Sequence, residues 1–254
     1  MSDEKHCYAF PRPSVTTDVA VFTVDDGRLQ ILLIERKEAP KGWALPGGFL
    51  QVGDRQTELA VAGGGAIPTQ KFDFSLEGCA RRELREEAGV DVGELHQLGA
   101  FGDADRDARG RYITVAYWAF VHKSQHHPKA GSDAKTVRWC DVNTLPDLAF
   151  DDHADIVEHA LRAIASQHLD TALFLDLMPQ RFTYPEFHRT YEIATHRSID
   201  RSSLHRRLLP FLRDAVIEDA HADLAVRRSA HRPPTIYDKT RAVSAAITVS
   251  GTRS

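Results

Sequence analysis

The chain has 254 residues, 42% hydrophobic and 27% charged, which suits one large globular domain or two smaller ones. No apolar run approaches the roughly 20 residues that span a bilayer, and the N-terminal MSDEKHCYAF has no signal-peptide core, which argues against a membrane or export role. Net charge is −4 but uneven: residues 170–254 carry 13 Lys+Arg and 10 Asp+Glu, a balance of +3, leaving −7 for residues 1–169.

Val15–Phe22 is apolar and β-rich. DDGR (Asp25–Arg28) reads as a turn, and LQILLIER (Leu29–Arg36) as its paired strand. GWALPGGF follows as a Gly- and Pro-rich loop. Arg55–Phe74, containing AGGGAIP, has little periodicity and reads as an inserted loop, either a mobile lid or tolerated surface. Ser75–Ala88 predicts a helix, with Ser75 able to cap it and Gly89 placed to end it in the left-handed conformation. Arg111–Val121 and Thr136–Val142 are strands, and DDHADIVEHALRAIASQHL is an amphipathic helix. The fold class is therefore α/β, an α/β/α sandwich with a mixed sheet.

After Leu169 the texture changes. TALFLDLMP, TYPEFHRTYEIAT and DRSSLHRRLLPFLRD read as three short helices, and TIYDK as a short strand. Short helices followed by a hairpin outline a winged helix-turn-helix. The eight arginines and no lysines from Arg197 to Arg232 suit a nucleic-acid-binding module. The expected division is residues 1–165, residues 170–240, and a flexible tail at 241–254. Cys7, Cys79 and Cys140 are an odd set without CxxC spacing, which points to a reducing cytoplasm and away from a disulfide frame or zinc site. His126-His127 lies in a polar loop with no second ligand pair nearby, which argues against a metal role.

RRELREEAGV (Arg81–Val90) sets Glu83, Glu86 and Glu87 on one helical face. Like charges at that spacing destabilise a helix. Sharing a hard divalent cation, which takes oxygen ligands, makes the cluster tolerable. Internal pairing with Arg82 and Arg85 on a solvated face does so equally well.

RELREEAGV (Arg82–Val90) resembles the second half of the Nudix box, REUxEExGU with U aliphatic, and LPGGF resembles the run into it. In the first half of that box a glycine precedes a glutamate by six positions. Here Gly48 leads to Asp54, while counting back from Arg82 reaches Phe74, so the box is split by Arg55–Phe74. The resemblance implies Mg²⁺ held by Glu83, Glu86 and Glu87, which would also be the catalytic carboxylates of an active enzyme.

The second half is similar to the winged-helix domain of the Nudix-related transcriptional regulators of NAD metabolism. The similarity rests on Pro179, Phe182, Thr183, Phe187, Tyr191, Glu192, Asp200 and HRPPTIY (His231–Tyr237), with LAFDDHADIV and DARGRYITVAY supporting it in the first half. It implies a DNA-binding repressor of NAD biosynthesis genes, acting as a homodimer on a duplex operator, with a sensor domain for ADP-ribose, NAD or ATP. The alternative is a Mg²⁺-dependent Nudix hydrolase such as an ADP-ribose pyrophosphatase. Similarity and loop position nominate Arg36, Trp43, Gly47, Gly48, Arg109, Phe150 and Asp151 for the nucleotide. Arg36 and Arg109 suit phosphates; Trp43 and Phe150 suit stacking. Asp200 can cap a recognition helix that presents Arg201, Ser202, Ser203, His205 and Arg206 to a major groove. Leu204, Leu208 and Leu209 would face the core, as would Phe187 and Tyr191. Arg227, Arg228, His231 and Arg232 form the candidate wing.

Overall fold

Strand β1 (Ser14–Asp25) runs through the centre of the molecule, because its apolar residues alternate between two buried faces. Val19 and Val21 join one core, and Ala20 and Phe22 the other. The same split divides β2 (Arg28–Arg36) at Leu32 and Ile34 against Ile31 and Leu33. It divides β6 (Tyr112–Phe120) at Tyr117 and Ala119 against Trp118 and Phe120. Burial on both faces explains the near-continuous apolar runs in the sequence.

The computed structural model describes residues 9–53, 72–131, 134–167, 170–217 and 235–251. Its main sheet has seven strands in the path β3-β2-β1-β6-β5, with β4 added to β1 and β7 to β2. β1 pairs with β6 in parallel and with β2 antiparallel, so the sheet is mixed as expected. The β1–β2 turn takes positive φ at Asp26 (48°) and Gly27 (73°), the pattern that an Asp-Gly hairpin favours. The loop expected at GWALPGGF contains two short strands, β3 (Trp43–Ala44) and β4 (Gly47–Phe49), each recruited by a neighbouring strand. β5 (His96–Phe101) gave no alternation signal, since its pairing with β6 shifts register between Gln97 and Gly99. β7 is Ala134–Asp141.

Helix α1 (Leu76–Ala88) covers one face through Ala80, Leu84 and Ala88. Its ends are those expected: Ser75 Oγ accepts from Gly78 N, and Gly89 takes φ 65° with its N–H on the Arg85 carbonyl. Helix α2 (Asp152–Ser166) covers the opposite face through Ile156, Val157, Ala160 and Ile164.

The C-terminal half shares that second core. Thr171–Leu177, expected as an α-helix, is a 3-10 helix that inserts Phe174 between Phe120 of the sheet (5.3 Å) and Tyr191 (4.6 Å, centroid to centroid). Helices α3 (Tyr184–Thr195) and α4 (Arg201–Leu212) flank a five-residue turn and bury Phe187, Tyr191, Leu204, Leu208 and Leu212. Leu209 is only half-buried. α3 begins in a capping box, Thr183 with Glu186, and α4 is capped by Asp200, whose carboxylate accepts from Ser203 N at 2.8 Å. β8 (Arg181–Thr183) pairs with β9 (Ile236–Asp238). The tail expected to be loose is instead helix α5 (Lys239–Gly251), whose Ala242 is fully buried. Lys239 Nζ donates to Gln125 Oε1 (3.1 Å) and the Asp176 carbonyl (3.2 Å), tying α5 to the first half. Cys79 and Cys140 are buried free thiols, and Cys7 lies outside the described residues. Among the described residues no helix is long and apolar enough to cross a membrane.

Candidate functional site

A cavity of about 420 Å³ opens beside the first residues of β1, the end of β2, strand β4, α1 and the start of α2. It collects Arg36, Gly47, Gly48, Glu83, Glu86, Glu87, Arg109 and Phe150 from the residues expected to serve a nucleotide or metal. Trp43 and Asp151 are not among its lining residues. The Trp43 ring lies 4.0 Å under the Arg138 guanidinium, and Asp151 is an exposed residue preceding α2. Tertiary placement, rather than sequence neighbourhood, separates them from the cavity.

At the start of β4 the backbone leaves no room for a side chain on Gly47. A Cβ on Gly47 would lie 2.1 Å from the Thr17 carbonyl oxygen, and one on Gly48 2.5 Å from the Glu83 carboxylate. That close approach lets the Gly47 N–H donate to Glu87 Oε2 at 2.8 Å.

The Arg82 guanidinium organises the acidic face of α1. Nη1 donates to Glu83 Oε1 (2.7 Å) and Glu86 Oε2 (3.1 Å), and Nη2 to the Phe49 carbonyl (3.0 Å). Nε and Nη2 grip Asp73 in a bidentate pair at 2.8 and 2.7 Å. Asp73 is thus the acidic partner that neither Asp54 nor Phe74 supplied by counting. Its Oδ2 also accepts from Gln51 N (2.8 Å), and its own N–H donates to the Gln51 carbonyl (2.7 Å). Those two bonds close the neck of the split, so the chain re-enters the box one residue out of register. Most of the insert, residues 55–71, lies outside the described residues. Burial pushes the Asp73 carboxyl up, but Arg82 and the Gln51 N–H outweigh it and hold the group below the usual range.

Glu83 and Glu87 respond the other way. Burial raises both, against the pull of Arg82 on Glu83 and of the Gly47 N–H on Glu87, and Glu87 is pushed up to about 8. The oxygen donors are of the type Mg²⁺ takes. Their arrangement does not fit it: Arg82 holds Glu83 and Glu86, Gly47 holds Glu87, and among the described residues no three acidic, His or Cys side chains are spaced for a metal ion.

A proton on folded Glu87 has a consequence for stability. Its folded value, about 8, lies above the ordinary 4.5, so its contribution is fully present below pH 4.5 and is lost as pH rises through about 8. Glu87→Gln keeps an acceptor for Gly47 without the charge. Relative to this variant, the natural chain is expected to lose several kcal/mol of unfolding free energy between pH 5.5 and pH 9, measured by urea denaturation. A constant difference between the two proteins across that range would refute the assignment.

Phe150 carries the Arg36 guanidinium 5.0 Å from its ring centroid and that of Arg109 at 5.8 Å. Arg109 is itself held by Asp107 in a bidentate pair (Nη2–Oδ2 2.7 Å), which lowers the Asp107 pKa. Sequence reasoning missed Asp18, Arg106, Asp152 and His153. Arg106 pairs with Asp152 (2.5 Å) and more loosely with Asp18 (3.4 Å), and Leu45 N donates to His153 Nδ1 at 3.0 Å. Burial lowers the His153 pKa and keeps the ring neutral. One signal was available: Asp18 places a charge in the buried run of β1.

In the C-terminal half, Arg201, Ser202 and Arg206 are exposed along α4, while Ser203 and His205 are half-buried. The His205 ring meets the edge of Tyr184 at 4.7 Å. Arg227, Arg228, His231 and Arg232 lie outside the described residues.

The family model described as "NUDIX domain" matches residues 15–160. The chain is 32% identical over 232 residues to the "ADPR responsive transcriptional repressor NtrR" of Acinetobacter baylyi, covering 90% of this chain and 82% of that protein. It is 36% identical over 146 residues to the "ADP-ribose pyrophosphatase" of Methanocaldococcus jannaschii, covering 57% and 73%. Among solved structures, Shewanella oneidensis NrtR complexed with a 27mer DNA superposes with a TM-score of 0.64 at 26% identity, over 91% of this chain and 95% of that one. A matched segment that holds the whole cavity from Thr16 to His153, on this mixed sheet, means that the chain belongs to the NUDIX family.

Proposed function

We propose that this protein is a transcriptional repressor that binds duplex DNA through α4 and responds to ADP-ribose in the NUDIX cavity. The observation carrying this reading is the continuous core that joins the cavity-bearing sheet to the helix-turn-helix, together with similarity to an ADP-ribose-responsive repressor along 90% of the chain. Operators upstream of NAD biosynthesis genes are the targets the reading implies, bound by a homodimer, since helix-turn-helix proteins read paired half-sites. Arg201 and Arg206 suit guanine edges or phosphates, and Ser202, Ser203 and His205 the neighbouring contacts. In the cavity, Arg36 and Arg109 are the cations suited to a pyrophosphate, beside Phe150 and the Gly47–Gly48 turn. Repression that a nucleotide controls requires different affinities of that nucleotide for the DNA-competent and incompetent arrangements.

Fluorescence anisotropy with labelled operator duplex tests this. Specific binding at physiological salt, altered by ADP-ribose, is expected. Arg201→Ala and Arg206→Ala should each weaken operator binding about tenfold or more. Binding no tighter than to random duplex, or indifference to ADP-ribose, would refute the proposal. A parallel arm with Mg²⁺ measures AMP release: steady turnover without specific DNA binding would favour the pyrophosphatase alternative, which the complete Arg82–Val90 segment and the 36% identity over 146 residues support.

A further inference from the structure

Asp18, Arg106, Asp152 and His153 form a buried cluster of which Asp18, Arg106 and His153 reach the cavity wall. Two carboxylates share one guanidinium, and His153 adds no charge while Leu45 N–H occupies its Nδ1. With Asp152 behind the wall the cluster carries one net negative charge, so Arg106 is already engaged by two carboxylates and the acceptor oxygens of Asp18 favour neutral hydrogen-bond donors over a phosphate.

Asp18 is 7% exposed, yet both its charged contacts are long: Arg106 Nη2 stands 3.4 Å from Oδ2 and His153 Nε2 3.6 Å from Oδ1. Neither lies in the 2.7–3.2 Å range of a well-formed N–H···O bond. A buried carboxylate so weakly engaged retains acceptor capacity. Two residues earlier on β1, and so on the same face of the strand, the Thr16 hydroxyl also lines the cavity, and its buried Oγ1 has no hydrogen-bond partner among the described residues. An unmet hydroxyl beside an under-used carboxylate is costly unless a ligand completes both.

We propose that Thr16 and Asp18, backed by Arg106 and His153, bind a vicinal diol of the ligand, with the Asp18 carboxylate accepting from the two hydroxyls and Thr16 supplying a further polar contact. Carboxylate recognition of ribose hydroxyls is the same chemistry that dinucleotide-binding folds use. The proposal deepens the ADP-ribose reading and rests on it. It makes these four residues the sugar end of the site, and Arg36 and Arg109 the phosphate end. Arg106 and His153 are positioning residues that flank and orient the Asp18 carboxylate.

The test is isothermal titration of the full chain with ADP-ribose, ADP and inorganic pyrophosphate, for the natural protein, Asp18→Asn and Thr16→Val. Asp18→Asn is expected to weaken ADP-ribose about tenfold or more, and Thr16→Val by less, with pyrophosphate unchanged. Weakening of ADP-ribose alone assigns the terminal ribose; equal weakening of ADP assigns the ribose of the adenosine. ADP-ribose affinities within twofold of the natural protein in both variants overturn the diol assignment and leave the sensor reading standing. Equal loss of all three ligands overturns it too, because the side chains would then be merely structural. A natural chain that binds no diol ligand overturns both readings.

Discussion

Phe174→Ala is expected to cost about 3–5 kcal/mol of unfolding free energy, the usual price of deleting a fully buried ring. Phe174 is 0% exposed and sits between Phe120 of the sheet and Tyr191 of α3. It belongs to both halves at once, so its loss acts on their junction rather than on one of them. Equilibrium urea unfolding of the natural chain should show one transition. The variant should unfold at a lower midpoint, with the tryptophan signal of the sheet separating from the helical signal. An unchanged midpoint would mean that the ring carries no packing across the junction.

Arg82→Ala should have a comparable effect, concentrated at the cavity. One guanidinium there holds Asp73, Glu83, Glu86 and the Phe49 carbonyl, with its side chain 16% exposed. Removing it leaves three carboxylates facing one another without a cation, a change of the kind that costs about 3–5 kcal/mol. Arg82→Lys should recover only part of this, because an ammonium cannot reproduce the bidentate grip on Asp73. The expected readouts are a lowered thermal midpoint and loss of ADP-ribose binding at neutral pH. Retention of both in Arg82→Ala would show that the acidic face needs no internal counter-charge.

Arg82 also answers why three glutamates tolerate one helical face. Internal pairing and solvent screening were one account of their spacing, and a shared divalent cation the other. In the folded chain Arg82 shares its single charge among Asp73, Glu83 and Glu86, Arg85 turns instead to Asp91, and Glu87 is buried with its pKa pushed up to about 8. The crowding is relieved by one arginine and one raised pKa.

The sequence by itself determined the elements whose signals are local. Near-continuous apolar, β-rich runs specified β1, β2 and β6, a Ser cap and a Gly stop bounded α1, and Asp-Gly specified the first hairpin. Asp200 likewise marked the start of α4. The charge run and the order of the two halves carried the DNA-binding reading, because they belong to composition and order and need no coordinates. Only the tertiary structure decided what depends on distant partners. β3, β4 and β8 are two or three residues long and exist through the strands they pair with. Lys239–Gly251 is helical although its composition reads as a tail, since Ala242 finds a core to enter. Asp73 reaches Arg82 because two bonds to Gln51 close the neck of an insert, a geometry that counting along the chain cannot reveal. Asp18, Arg106 and His153 are far apart in sequence, and a strand, a loop and a helix bring them to one wall of one cavity. Local propensity fixes helices, turns and faces; a site is made of long-range contacts, and those are settled only when the chain has closed on itself.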